Sequence, residues 1–240
     1  MSIKILYEDN HIIAVEKPAG VLTQGDGSGD RSLMDDVKDY LKEKYKKPGN
    51  VFLGLVHRLD KPVQGIVLFG KTSKGASRLS EQFRNHTIQK TYHAIVVGKP
   101  KESKGELKEK INKISFFAEG FTNKTDEELL QEIKKATKTR TAELSWEVVK
   151  PGEKFSLIKI LPKTGRFHQI RVQMQGLGHP ILGDQKYLPA GRQVVQDWQD
   201  RKSIALAATA IEFKLATEDK IIKLEIPLPE EWAKYIYPVK

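Results

Sequence analysis

Residues 144–161 read LSWEVVKPGEKFSLIKIL. Leu144, Trp146 and Val148 alternate with polar neighbours, Pro151-Gly152 breaks the run, and residues 155–161 resume it, which is the pattern of two strands folded back as a hairpin. Working outward, residues 3–7 and 11–15 are two further apolar runs split by Asp9-Asn10, and residues 65–69, 91–97, 204–213 and 220–226 are strand-like as well. Helical spacing is rarer. Ser32 can cap a helix carrying Leu33, Val37, Tyr40 and Leu41 on one face to about Tyr45, with Asp35 as its third residue. Thr72 or Ser73 can cap a second with Ala76, Leu79 and Phe83 inward. Phe167, Ile170 and Met174 suggest a third that ends near Gly176 and Gly178, and Pro229 opens a short last one. Strands outnumber helices and hairpins outnumber βαβ units, so the expected class is α+β with a mainly antiparallel sheet.

Composition narrows the chemistry. The chain has 240 residues, 41 Lys+Arg against 31 Asp+Glu, a formal charge of +10 and no cysteine. Disulfides, zinc–thiolate sites, iron–sulfur clusters and cysteine nucleophiles are therefore excluded. No apolar stretch approaches the length of a membrane span and the first residues lack a secretory pattern, so a cytoplasmic protein is expected. The positive surplus favours a polyanionic partner. Residues 101–140, rich in Lys and Glu and weakly periodic apart from residues 114–117 and a helical candidate at 126–135, read as a peripheral insertion in one domain covering residues 1–240.

Three polar features need an explanation. Residues 57–60, His-Arg-Leu-Asp, lie between apolar runs, where an unpaired charge would be costly. Asp60 alone reads most simply as a turn carboxylate. Residues 165–171 concentrate Arg166, His168, Gln169 and Arg171 at the start of one helix, where cations oppose the helix dipole, so an anion is expected nearby, either phosphate or Asp60. Tyr92 sits in a strand, where most tyrosines pack with a wet tip. The six histidines include no HExxH, and there is no phosphate loop, dinucleotide fingerprint or nucleophile elbow. A generic hydrolase using Asp60 and His57 is therefore poorly supported.

Four segments together resemble the RluA-type pseudouridine synthases: residues 9–20 (DNHIIAVEKPAG), 57–71 (HRLDKPVQGIVLFGK), 90–98 (KTYHAIVVG) and 164–187 (TGRFHQIRVQMQGLGHPILGDQKY). The resemblance spans nearly the whole chain. It implies the pseudouridine synthase fold, a mixed, mainly antiparallel sheet with flanking helices and a basic central cleft, together with isomerisation of a uridine in rRNA or tRNA, RNA as partner, no cofactor, no metal and a monomer. It also implies that Asp60 is the essential carboxylate, Tyr92 the tyrosine beside the target base, and Arg171 the guanidinium paired with Asp60, with Arg166 as second choice. His57, Arg58, Lys61 and Lys17, together with Arg166, His168 and Gln169, are expected to contact RNA.

The chemistry fits those residue types. A carboxylate can attack C1′ of the ribose, abstract a sugar proton on the way to a glycal, or add to the uracil ring. Each route needs it ionised near a detached base, and an arginine fork offsets its desolvation while fixing its orientation. A stacked base must also be flipped out to be reached.

The chain departs from the family at Val63-Gln64, where Thr-Ser is usual, at Ala207, where many members carry His, and at Gln24, also a frequent His. These departures bear on target choice more than on the reaction. The family pattern begins by about Tyr7, so no preceding RNA-binding module is expected. The alternative reading is a catalytically silent RNA-binding or RNA-chaperone domain of the same fold, against which the joint retention of Asp60, Tyr92 and Arg171 argues.

Overall fold

The computed structural model describes residues 3–111, 140–187, 198 and 202–237. The chain divides into two compact units, Met1–His93 with Arg201–Trp232, and Ala94–Asp200 with Ala233–Lys240.

In the first unit, β1 (Lys4–Glu8) and β2 (Ile12–Lys17) form a hairpin whose turn is held by Asp9, its Oδ1 accepting the His11 and Ile12 amides at 2.7 Å each. β2 pairs antiparallel with β4 (Gln64–Gly70), and the short β3 (Gly54–Leu55) flanks β4. β4 meets β9 (Leu206–Lys214) in parallel through Gln64–Ala207 and Gly65–Ala208, and β10 (Ile221–Glu225) pairs antiparallel with β9. The sheet is thus mixed but mostly antiparallel. Gly65 makes the parallel contact feasible: φ is +131°, and a Cβ there would lie 2.3 Å from the Ala208 carbonyl oxygen.

Helix α1 (Leu33–Lys44) starts where the sequence puts it. Ser32 and Asp35 form a reciprocal capping box, an arrangement worth about 1 kcal/mol, and Leu33, Val37 and Leu41 are buried. Helix α2 (Ser73–Arg84) is capped by Thr72, whose Oγ1 accepts the Gly75 amide, and it packs on β4 and β9. One core cluster joins Ile12 and Ala14, Ile66 and Leu68, Leu79, and Ile211 and Phe213. Ile13, Val15, Val67 and Phe69 are equally buried, so both faces of β2 and β4 are covered. That is why these strands read as continuous apolar runs.

β5 (Gln89–Val97) begins in the first unit and ends in the second. In the second unit, β7 (Arg140–Lys150) and β8 (Phe155–Pro162) form the expected hairpin, with Trp146 opposite Ile160 and a bulge between Val148 and Lys150. Beside β7 runs β6 (Lys104–Ile111), a strand that the sequence reading of residues 101–140 did not name. Its Lys and Glu residues are mostly exposed, and Leu107, opposite Leu144, is the apolar residue at mid-strand, so no alternation marks it as a strand. The candidates at residues 114–117 and 126–135 lie outside the described residues. Helix α3 (Gln169–Gly176) follows β8, and α4 (Ala233–Ile236) follows a 3-10 turn at Glu230–Trp232. Among the described residues no helix is long and apolar enough to cross a membrane.

Candidate active site

Asp60 and Lys17 dominate the polar centre of the first unit. Lys17 is the last residue of β2, and it is 0% exposed. Its Nζ donates to the carbonyl oxygens of Pro18 (3.0 Å), Val21 (2.6 Å) and Lys61 (3.2 Å). The ammonium therefore ties the loop after β2 to the segment that carries Asp60. The Gly20 amide adds a bond to the same Lys61 carbonyl at 2.8 Å. Thr23 completes the tie, its hydroxyl donating to Leu59 O (2.8 Å) and accepting the Leu59 amide (3.1 Å). A turn then closes from the Val63 amide to Asp60 O at 3.0 Å. Burial pushes the Lys17 amine down to about 7, with the Asp60 charge opposing. Three carbonyl acceptors match the three protons of an ammonium, so the geometry favours the charged form.

Tyr92, on β5, feels the same carboxylate. Burial, then the Asp60 charge, pushes its phenol well above the ordinary value, so the hydroxyl is neutral. Asp60, Lys17 and Tyr92 are thus electrostatically coupled within one unit.

His57 has a different job from the phosphate contact expected of it. Its Nε2 accepts the Leu68 amide at 2.9 Å, its ring stacks on Phe83 at 4.6 Å, and burial followed by the Lys90 charge pushes it down to about 3. A neutral ring committed to the backbone of β4 offers no ion pair to a phosphate. Arg58 and Lys61 are exposed, with Lys61 bridged to Asp30 at 2.9 Å.

In the second unit, an anion that the sequence reading did not name, Asp184, stands beside the helix start. Arg171 and Asp184 are 6% and 2% exposed and meet fork to fork, Nε–Oδ2 at 2.6 Å and Nη2–Oδ1 at 2.7 Å. Asp184 reaches α3 because the preceding chain pairs with β5, through Val97 N to Pro180 O and Leu182 N to Ile95 O, both 2.9 Å. Gly183 turns it there with φ +84°, packed under Trp198 so closely that a Cβ would lie 2.1 Å from the indole. The sequence reading missed Asp184; its signal was a Gly-Asp step inside the 164–187 segment.

His168 is the N-cap of α3 in left-handed backbone, φ +50°, a conformation that costs about 1 kcal/mol for a residue with a side chain. Its Nε2 lies 3.3 Å from Arg171 Nη1 and its Nδ1 2.6 Å from the Tyr187 hydroxyl. A guanidinium can only donate, so Nε2 accepts and the proton sits on Nδ1. The Tyr187 ring lies under the guanidinium, 5.0 Å from its carbon. Phe167 corrects the sequence reading. It precedes the helix, is 46% exposed, and stacks on His168 instead of joining the buried stripe.

Gln169 is an internal bracket. Its Oε1 accepts from the Thr164 hydroxyl (2.7 Å) and the Arg166 amide (3.0 Å), and its Nε2 donates to Glu143 O (3.0 Å). Arg166 Nε donates to Thr141 O at 3.1 Å. Among the described residues no group of His, Asp and Glu is gathered to hold a metal ion.

The match to known proteins covers Lys17, Asp60, Tyr92, His168 and Arg171. Residues 11–176 match the RNA pseudouridylate synthase family. The chain belongs to that family. Ribosomal large subunit pseudouridine synthase C of Buchnera aphidicola is 35% identical over 184 residues, 77% of this chain and 54% of that protein. The tRNA pseudouridine synthase C of Haemophilus ducreyi is 36% identical over 191 residues, 78% of this chain and 74% of that protein. The chain therefore spans between about half and three quarters of these two pseudouridine synthases. The solved structure of human RNA pseudouridylate synthase domain containing 4 shares the fold, with TM-score 0.74 and 23% identity over 96% of this chain and 90% of that one.

Proposed function

We propose that this protein is an RNA pseudouridine synthase that isomerises a uridine of rRNA or tRNA in the cytoplasm, as a monomer and without metal or cofactor. Asp60 is the catalytic carboxylate, Tyr92 stacks on the everted uracil, and Arg171 is the guanidinium that keeps the carboxylate charged, an assignment resting on the sequence motif. The supporting observation is the coupling of Asp60 to Lys17 and Tyr92 within a family member. Breaking the N1 glycosidic bond, turning the base and rejoining it at C5 transfers no group to water beyond protons, C5 losing its hydrogen to solvent and N1 gaining one. The site must therefore supply an ionised carboxylate, an aromatic face to hold the loose base, and little water. A neutral Tyr92 serves as a stacking surface and hydrogen-bonding group rather than as a base. The exposed arginine and lysines, Arg58 and Lys61 among them, are the groups that meet phosphate.

Pseudouridine mapping in RNA from cells lacking the gene tests the reading. One or more uridines should lose modification and regain it on complementation. An unchanged map would refute it.

A further inference from the structure

The geometry points to a second base-binding surface, a shelf made of Phe167 on His168 that stacks an unpaired nucleobase of the RNA. The inference rests on the proposed RNA substrate.

Phe167 is the aromatic residue that the turn before α3 presents to solvent, between Arg166 and the buried Gln169. Its ring lies nearly parallel to His168, with centroids 3.8 Å apart and planes at 17°. The shelf is rigid for three reasons. His168 is held from both ring nitrogens, by Arg171 and Tyr187. Its backbone is held in the left-handed region, φ +50°, with the imidazole stacked on the phenyl ring. The Arg166 amide is fixed to the Gln169 side chain, which stops the turn from rocking.

An apolar residue needed only for packing would have joined Ile170 and Met174 in the interior. Phe167 instead keeps 46% of its surface exposed with His168 stacked on it, next to Arg166 in sequence. Aromatic faces interleaved with cations are what single-stranded nucleic acid requires, because every base has a π-face and every linkage a phosphate. Pre-strained, hydrogen-bonded support means that little order has to be imposed when a base arrives.

The test uses a short RNA hairpin with 2-aminopurine in its single-stranded loop, together with Phe167→Ala, Phe167→Leu and Phe167→Trp in the full chain. Stacking quenches the 2-aminopurine. Wild type and Phe167→Trp should quench it on binding, whereas Phe167→Ala and Phe167→Leu should not. With the natural RNA, KM should rise about tenfold in the Ala and Leu variants, with the effect on KM rather than kcat. Wild-type quenching by Phe167→Leu, or unchanged quenching and KM in Phe167→Ala, would overturn the inference. Thermal unfolding of each variant separates loss of the shelf from loss of the fold. If the wild type modifies no uridine in any RNA, the synthase reading fails, while the quenching series still decides whether Phe167 stacks a base.

Discussion

Arg171 and Asp184 form a buried two-point pair, Nε to Oδ2 at 2.6 Å and Nη2 to Oδ1 at 2.7 Å, with the Arg171 Nη1 directed at His168. Removing one partner leaves the other as an uncompensated interior charge, the costly way to disrupt such a pair. Asp184→Asn should therefore lower the unfolding free energy by about 3 kcal/mol in urea titrations. The double variant Arg171→Met/Asp184→Leu should recover most of that loss yet remain inactive. A loss below about 1 kcal/mol in Asp184→Asn would mean the pair is not desolvated.

Glu8 gives the first unit an acid-sensitive lock. Burial opposes ionisation, but hydrogen bonds from Lys44, Lys71, Tyr45 and Tyr40 outweigh it and hold the carboxyl at about 2, below the ordinary 4.5. A carboxyl depressed on folding stabilises fully above its unfolded pKa and loses that contribution as pH falls through the folded one. Glu8→Gln should thus cost about 2 kcal/mol at pH 7, allowing for the exposed Lys44, and progressively less between pH 4.5 and 2. Equal costs at pH 7 and pH 3 in urea titrations would contradict the assignment.

Tyr92 should not titrate in the working range, since burial and the Asp60 charge both hold its proton. The pH–rate profile should be the same for wild type and Tyr92→Phe up to about pH 10, the ordinary phenol value. Tyr92→Ala, which removes the face as well as the hydroxyl, should lower kcat/KM by about 10- to 100-fold, the size of one base stack. An alkaline limb present in wild type and lost in Tyr92→Phe would make the phenol a general acid or base.

Where one interaction dominated, the sequence was legible. Ser32 and Thr72 announced their helices because a side-chain cap is local, and the 144–161 hairpin announced itself through alternation and a Pro-Gly break. Lys104–Ile111 escaped because a strand solvated along most of its length has no apolar period to read. Phe167 was misplaced because helical spacing cannot register a left-handed residue at position 168, which starts the helix after it. Lys17 drew only the expectation of an RNA contact because nothing local shows that three carbonyls will close around it. Asp184 lay thirteen residues from Arg171, beyond any local rule, and meets it through the strand-like pairing of residues 180–182 with β5.

Release of tritium from C5-labelled uridine in RNA by wild type and by Asp60→Asn tests the central claim most directly. Pseudouridine formation displaces the C5 hydrogen, so the wild type should release label. Asp60→Asn, with the same shape and no charge, should release none while binding the RNA with an affinity within about threefold of wild type, a difference of less than 1 kcal/mol. Tritium release by Asp60→Asn at a rate near that of wild type would contradict the account.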